Sequence, residues 1–390
     1  MKTNVDSKLN SEAKVLAGRE FVGTVFMPSD TPGIPITRTI ALKTNTILGK
    51  AEQPYPEDYL MGAHTDPWFV EGVIEGMKQL GLKCSQFYLR DASCNAKTLE
   101  ESGYHDMAVR VGANLLESIS VAKDPGSIEW IDVPGGIIHR RIPYLRPYNA
   151  PGTFLLNIAK FKSHAMGLTL CCKNIQGMIA PPYQGFCGGF KGVMGRCSAD
   201  TINPDYMKEV EANWRRHTAD GIPRWDKPGN YYDCGLGMET WATRTIDNMS
   251  VSPMGLCVVE GIYGRDGSHQ AGPHPPFRHN NQVDGRAHDF MSNVIIFGKN
   301  PAHVDIIGHW LGGHEPGNFG LFHLALERGM STILDPRKIP LSRWENGKAV
   351  PASLDSFKRT PLLTYYLRRN YNGREEPVYH YCDEPYDYNG

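Results

Sequence analysis

The sequence predicts an α/β protein with a Rossmann-like, mostly parallel sheet, helices on both faces of that sheet, and one large insertion. The first observation is a strand, a helix and a strand in succession. A short apolar strand begins at Thr39, apolar residues recur at helical spacing over 68–80, and the run 84–93 predicts a second strand that closes on Asp91. That order is typical of a right-handed parallel crossover.

The same pattern returns along the chain. A helix around 105–111 leads to an apolar run near Leu115, and strands are predicted at 254–259 and 293–298, before a helix that begins near Pro301. No GxGxxG motif follows the first strand, so the sequence does not support a dinucleotide bound in the usual Rossmann manner. The sequence therefore predicts a Rossmann-like fold but not a bound dinucleotide.

A change of composition marks the insertion. Between Ala180 and Trp241 the chain is rich in Gly, Pro, Tyr and Trp, with a polar helical piece at 206–217. Such a stretch in a compact protein is either an active-site lid or a surface elaboration. The predicted organisation is an N-terminal extension over 1–35, an α/β domain over 36–330 with the insertion at about 180–250, and a C-terminal extension over 331–390.

Charge and hydropathy narrow the class of protein. The 390 residues are 41% hydrophobic, and 41 Lys and Arg against 42 Asp and Glu leave a formal net charge of −1. That balance provides no general attraction to nucleic acid or to an anionic membrane surface. The N-terminal segment is polar, and no run is long and apolar enough to span a bilayer, which predicts a cytoplasmic protein.

The cysteines argue against a built-in metal cluster. There are nine of them, spread thinly and without a CxxC pair, so we expect no iron–sulfur cluster within this chain. Adjacent Cys171 and Cys172 are either a redox pair or small buried hydrophobic residues. The second interpretation is favoured, because adjacent side chains on a regular element point apart.

The segment from Asn157 to Met178 carries the strongest functional signal, because ionisable side chains interrupt an apolar run. Burying a lysine without a partner is costly enough that the group finds a partner or loses its proton. We therefore predict that the polar residues of this segment gather around something polar. They are Lys160, Lys162, His164, Lys173 and Asn174.

A cationic wall is the first predicted part of the site. Lys43, Lys162 and Lys173 could hold a carboxylate or phosphate as point charges. Asn45 and Asn174 would orient that anion through hydrogen bonds. The alternative is that Lys173 and Asn174 only cap a helix.

An acid–base group is the second predicted part. His164 is the candidate, since its unperturbed pKa lies near neutrality, with Lys162 and Lys173 as its catalytic partners. Asp91 and Glu260 follow predicted strands, where open α/β sheets keep their ligand groups, and are candidate substrate-binding residues. The alternative for His164 is a core histidine whose hydrogen bonds are satisfied.

Histidine is dense after residue 268, which suggests a transition-metal site. If Pro301 opens a helix, Asp305 and His309 share one of its faces, whereas His309 and His314 diverge by roughly 140°. Asp305 and His309 are then an orienting pair, half of a metal site or a plain ion pair. His274 could complete a metal site only if its loop folds over the sheet edge.

Several motifs together resemble one family. They are the KxN of Lys43 and Asn45, the KxKxH of 160–164, the KNxxG of 173–177, the acidic loop of 260–262 and the GKNPAHVDIIG of 298–308. In order and spacing they are similar to the family catalogued as domain of unknown function 362, over roughly 40–320. The resemblance implies a Rossmann-like domain, fused in other members to ferredoxin-type clusters, and no established general reaction. This chain lacks cluster cysteines and has Glu260 where the family usually has Asp, so a built-in electron supply is not expected.

The leading functional hypothesis is an enzyme that acts on a small anionic metabolite by Lys/His acid–base chemistry. Its reaction would be an isomerisation, or a reduction that takes electrons from an external donor. One alternative, by fold-level analogy with the nickel-pincer lactate racemases, is a 2-hydroxy-acid racemase or epimerase with a nickel-type cofactor. Another is a non-catalytic metal- or metabolite-binding protein. A homo-oligomer is compatible with each of them.

Overall fold

The computed structural model describes residues 10–27, 32–46, 62–118, 124–164, 167–184, 199–222, 235–267, 271–272, 285–345, 347–364 and 379–389. Within these ranges the strands are β1 (Thr39–Thr44), β2 (Phe87–Arg90), β3 (Asn114–Leu116), β4 (Ile128–Asp132), β5 (Arg141–Leu145), β6 (Thr153–His164), β7 (Gly167–Thr169), β8 (Met254–Arg265), β9 (Ala271–Gly272), β10 (Gly285–Arg286), β11 (Asp289–Gly298), β12 (Ser342–Glu345) and β13 (Lys348–Pro351). The helices are α1 (Ser11–Phe26), α2 (Pro67–Gln79), α3 (Ala96–Glu101), α4 (Tyr104–Val111), α5 (Cys171–Asn174), α6 (Pro181–Gln184), α7 (Tyr206–Ala219), α8 (Gly235–Val251), α9 (Pro301–Leu311) and α10 (Gly320–Glu327).

The centre of the molecule is a sheet of seven strands in the order β11-β8-β6-β1-β2-β3, with β7 folded back on β6. The pairs β1–β2, β2–β3, β1–β6 and β6–β8 are parallel. The edge strand β11 is antiparallel to β8. The predicted Rossmann-like, mostly parallel sheet is therefore confirmed, including the first crossover from β1 through α2 to β2.

Helices cover both faces of this sheet, as predicted. On one face Ile40 and Leu156 pack with residues of α1, α2 and α4. On the other face Ala41 and Leu155 pack with residues of α8, α9 and α10. Adjacent residues of β1 and β6 thus enter different cores, which is why these central strands read as continuous apolar runs.

Helix α2 shows how local signals and burial agree. Asp66 caps its first turn, with the side chain accepting a hydrogen bond from Trp68 N at 2.9 Å, and Pro67 occupies the first turn. Its inward side chains, such as Phe69 and Val73, are fully buried. Each stabilises the fold by about 1.5–3 kcal/mol. The predicted helix end at Gly81 is also observed, with a φ of 104° two residues after the last helical residue.

Helix α1 lies within the predicted N-terminal extension and packs closely on α2. A Cβ atom at Gly18 would lie 2.2 Å from Phe69 O, and one at Gly72 would lie 2.0 Å from Val15 O. Glycine is therefore required at both positions for the backbones to approach so closely. Helix α1 is part of the cover of one sheet face.

Three helices of the described ranges lie in the predicted insertion, the first of them the single-turn helix α6. Helix α7 agrees with the predicted piece at 206–217, but α8 was not predicted, because the stretch up to Trp241 was expected to be irregular. Most of α8 is buried, including Glu239, Arg244 and Asp247. Charged residues on the inward side hide the helical period of apolar residues, so sequence patterning misses such a helix.

Other elements also differ from the predicted boundaries. Strand β8 continues to Arg265, beyond the predicted end at residue 259. The hairpins β4–β5 and β12–β13 were not predicted. The C-terminal segment returns to the sheet, where the Thr364 hydroxyl donates to His164 O at 2.6 Å. Among the helices of the described ranges, none combines the length and the apolar character needed to cross a membrane.

Candidate functional site

Polar side chains gather at the carboxyl ends of the parallel strands, but on both faces of the sheet. Lys43 in β1 is the register partner of Asn157 in β6, so the two side chains share a face. Lys160 follows Asn157 by three residues and points to the opposite face, which Lys162 and His164 share with it at spacings of two. The predicted single cationic wall is thus divided. Lys43 shares a face of the sheet with Asn157, whereas Lys162 points to the opposite face, because side chains along a strand alternate between the two faces.

The first group, the Lys43 cluster, consists of Lys43, Asn45, Asp91, Asn157 and Asn174. Lys43 Nζ lies 2.5 Å from Asp91 Oδ2 and donates to Asn174 Oδ1 at 3.0 Å. Asn174 Nδ2 donates to Asn157 Oδ1 at 2.7 Å and to Lys43 O at 3.0 Å. Asn45 Nδ2 reaches Asn174 Oδ1 at 3.4 Å. Four of the predicted residues therefore meet, and Asn157 is a member that sequence reasoning missed.

Gly177, the glycine of the KNxxG motif, packs closely against the Lys43 cluster. A Cβ atom at this position would lie 2.5 Å from Lys43 Cε, 2.8 Å from Lys43 Nζ and 3.0 Å from Asp91 Oδ2. A side chain here would displace the ion pair of the cluster. The motif thus brings Asn174 to Lys43 and leaves room for the Lys43 ammonium beside the chain.

The second group, the charge chain, consists of Lys14, Asp66, Glu260 and Lys160 on the opposite face. Lys160 Nζ lies 2.8 Å from Glu260 Oε2, which also accepts from Asp66 N at 3.0 Å. Asp66 Oδ2 in turn lies 2.7 Å from Lys14 Nζ. All four side chains are buried. Burial raises the pKa of Glu260, and the Lys160 ammonium opposes that rise.

Lys14 is a functional candidate that the sequence analysis missed. It lies on α1, on the same side as the buried residues Ala17, Gly18 and Phe21. Spacings of three, four and seven residues place these side chains on one helix face. A lysine on the apolar face of an amphipathic helix was the signal that could have identified it.

Lys162 and His164 continue β6 beyond the charge chain and are both buried. Lys162 Nζ donates to Ala63 O at 2.9 Å, in the segment that leads into α2. His164 is the last residue of β6, at the carboxyl edge of the sheet. Lys173, at the end of the short helix α5, is also buried. Their catalytic roles stay predictions.

Asp305 has a hydrogen-bonding role that the sequence did not indicate. Its carboxylate oxygens accept from Cys171 N and Cys172 N, each at 2.8 Å, at the start of α5. Burial raises the pKa of Asp305 to about 7, although these two hydrogen bonds act in the opposite direction. Asp305 therefore holds the helix that carries Lys173 and Asn174. The Cys171 and Cys172 thiols are buried, and burial raises the pKa of both, which suits small core residues.

The two histidines after Asp305 lie in the core. His309 Nδ1 donates to Asp305 O at 2.8 Å, and burial lowers the pKa of His309 to about 4. His314 accepts from Cys382 N at 3.0 Å and donates to Leu362 O at 2.7 Å. The centroids of the two rings lie 6.4 Å apart. The predicted divergence applies to a continuous helix, whereas α9 ends at residue 311 and the chain then turns back.

A metal at Asp305 and His309 gains no geometric support from the part of the chain that the structure describes. Within those ranges, no group of three or more His, Cys, Asp or Glu side chains is arranged to hold a metal ion. The Asp305 carboxylate faces the start of α5, and His309 uses Nδ1 on a main-chain carbonyl. His274, the third predicted ligand, lies outside the described residues.

The geometry is accompanied by a family match. The family model described as a domain of unknown function (DUF362) matches residues 40–309, which is more than half of the chain. The chain belongs to this family. The match includes the whole Lys43 cluster, but Lys14 of the charge chain lies outside it. Neither the curated proteins nor the solved structures include a match to the chain.

The arrangement has definite chemical capabilities. Lys43 and Lys160 are each held beside a carboxylate. Lys162 places a third amino group at the same edge of the sheet, and His164 adds an imidazole. Three buried lysines and a histidine therefore lie at the edge where open α/β sheets bind ligands.

Proposed function

We propose that this member of the DUF362 family is an enzyme that binds a small anionic metabolite, a carboxylate or a phosphate, at the carboxyl ends of β1, β6 and β8. The observation that carries the proposal is the series of buried ionisable side chains on those strands. A buried ion pair contributes little net stability, because the loss of hydration of both charges offsets their attraction. Their concentration at the ligand-binding edge of an α/β sheet favours a catalytic role over a purely structural one.

The proposed roles follow from position. Lys162 binds the anionic group of the substrate, and His164 at the end of β6 moves a proton to or from the carbon or oxygen next to it. Glu260 pairs with Lys160, which lies on the same face of β6 as these two residues. On the opposite face, Asn174 uses its whole amide to hold the Lys43 cluster together, and Asn45 is the orienting amide. Lys173 is the second proposed cation for the anionic group of the substrate.

Proton exchange tests the acid–base chemistry even while the substrate is unidentified. The full chain, purified without oxygen, is incubated in D2O with 2-hydroxy acids, 2-oxo acids and phosphate monoesters, and loss of the proton next to the acidic group is followed by 1H NMR. We expect His164→Asn to slow exchange by about 10²–10⁴-fold, since general acid–base groups contribute that much. Ligand affinity, measured by calorimetry, should change little.

Two further variants sharpen this test. Lys162→Met should weaken binding of the same ligand by about tenfold, because it removes a charge-assisted hydrogen bond. His105→Asn is the matched control, since His105 is exposed on α4 and should leave both quantities unchanged. If His164→Asn lowers affinity as much as exchange, the protein is a binding protein rather than an enzyme. If no compound binds or exchanges, the proposal fails.

Reduction of the substrate by an external donor is part of the same proposal. The side chains described at the site move protons and bind anions, so the electrons would come from a partner. A reduced viologen dye, added with each compound of the panel, tests this by its loss of colour. Substrate-dependent oxidation of the dye that His164→Asn abolishes would assign an oxidoreductase, and exchange without dye oxidation would assign an isomerase.

A further inference from the structure

A cavity of about 450 Å³ lies at the outer edge of β11. Its walls come from β11 between Val294 and Gly298 with Lys299 just after it, from Ile307 and Leu311 of α9, and from the β12–β13 hairpin. Gly298 of β11 pairs with Cys257, near the start of β8. The cavity therefore runs along β11 from the level of Gly261 in β8 to that of Cys257, and extends toward the amino-terminal end of the parallel strands.

The chemistry of the walls is amphipathic. Most of the lining side chains are aliphatic or aromatic, including Phe297, Leu341 and Trp344. The charged side chains among the lining residues that the structure describes are Lys299 and Arg343, and none there is acidic. Glu345 pairs with Arg343 Nε at 2.6 Å, so exposed Lys299 is the lining cation without a carboxylate partner among the ion pairs of the described residues.

We propose that this cavity is a second binding site, for an acyl chain that ends in a carboxylate. Its volume lies in the range of small-molecule pockets, about 300–1,000 Å³. The apolar walls would take the chain, and Lys299 would take the anionic head. Residues 311–357 of the wall follow the family-matched region, so the site belongs to the C-terminal part of this chain. It does not depend on the function proposed for the carboxyl edge.

The test is calorimetric titration of the full chain with decanoate, octanoate and decanol. Decanoate should bind roughly tenfold more tightly than octanoate, because two more methylenes are buried. Lys299→Met should weaken decanoate binding by about fivefold, as expected for an exposed ion pair, and leave decanol binding unchanged. Lys348→Met is the charge-matched control, since Lys348 is exposed on β13 and does not line the cavity.

A filling variant tests the location. Ala349 is exposed and lines the cavity, so Ala349→Trp should abolish decanoate binding without disturbing the core. Val350→Trp, at the next position of β13 and outside the lining, should bind decanoate as the parent protein does. Decanoate binding that survives Ala349→Trp, that is insensitive to Lys299→Met, or that is absent from the parent protein would overturn the proposal.

Discussion

Lys160 and Glu260 form an ion pair in which both side chains are 0% exposed. Two charges removed from water in this way lose their hydration, and their attraction offsets that loss only while both are present. The carboxylate also accepts from Asp66 N and from Ile262 N, at 3.0 and 2.9 Å. Loss of one partner therefore leaves a buried charge without its counter-ion.

Replacing Glu260 tests that dependence. We expect Glu260→Gln to lower the free energy of unfolding by about 3–5 kcal/mol, measured by urea denaturation, since Lys160 stays buried without its carboxylate. The control is Glu75→Gln, which removes the partially exposed pair of Arg19 and Glu75 and should cost less than about 1 kcal/mol. A double variant, Lys160→Met with Glu260→Leu, should be less destabilised than Glu260→Gln. Equal costs in all three would contradict the role assigned to this pair.

Asp305 makes stability depend on pH. Burial raises its pKa to about 7 from an ordinary value of 3.8, so the folded protein keeps a proton that the unfolded chain loses as the pH rises. Its contribution to stability is therefore fully present below about pH 4 and is lost as the pH approaches about 7, by roughly 4 kcal/mol at most. Asp305→Asn should remove this part of the slope between pH 4 and 7 in denaturation curves. An identical slope in the variant would show that Asp305 does not titrate there.

At the scale of elements, the contact between α1 and α2 places Lys14 beside Asp66. Glycines at the crossing allow the two backbones to approach, and the aromatic side chain of Phe21 in α1 packs against Phe69 and Phe297. A helix outside the family-matched region thus completes the charge chain of the site. Displacement of α1 would withdraw Lys14 from the Asp66 carboxylate.

Gly18→Ala is the direct test of this contact. The added Cβ would lie 2.2 Å from Phe69 O and 2.7 Å from Val73 N, so α1 must shift, and we expect a loss of about 1–3 kcal/mol in the free energy of unfolding. Gly23→Ala is the matched control on the same helix. Its Cβ would meet no atom within 4 Å, so the higher helix propensity of alanine should stabilise the protein by up to about 1 kcal/mol. A stable Gly18→Ala protein would mean that α1 does not pack closely on α2.

At the scale of the whole molecule, β1 and β6 are central strands between two cores, whereas β11 and the β12–β13 hairpin lie at the periphery. Strands covered on both faces open only when the whole domain unfolds, while peripheral elements open locally. This architecture holds the candidate site on the most stable part of the sheet. It leaves the edge cavity beside peripheral elements, which we expect to open locally.

Hydrogen exchange followed by mass spectrometry should show slower amide exchange in the central strands than in the peripheral ones. Amides of 39–44 and 153–164 are expected to exchange slowest, near the rate set by global unfolding, and those of 342–351 fastest among the strands. Decanoate should slow exchange in 342–351 if it binds in the edge cavity, without an effect on β1. Uniform exchange across all strands would contradict the division into a stable centre and mobile edges.

Some features of the site could be predicted from sequence and others could not. Lys43, Asp91 and Asn174 belong to short motifs at strand or helix ends, so their meeting at one edge follows from the order of strands and helices. The separation of Lys43 from Lys162 depends on the pairing register between β1 and β6. The spacing of residues within a motif does not specify that register. The cytoplasmic location, the metabolite and the partners stay predictions.

The sequence by itself determined the fold class, the family, and the presence of buried lysines among apolar residues, because these depend on periodicity and on neighbours close along the chain. Only the tertiary structure decided that Lys14 joins Asp66, that Asp305 holds the start of α5, and that a hairpin forms one wall of the edge cavity. Each of these contacts joins segments far apart in sequence. Their formation depends on how the sheet and its covering helices pack, and local patterning does not encode that packing.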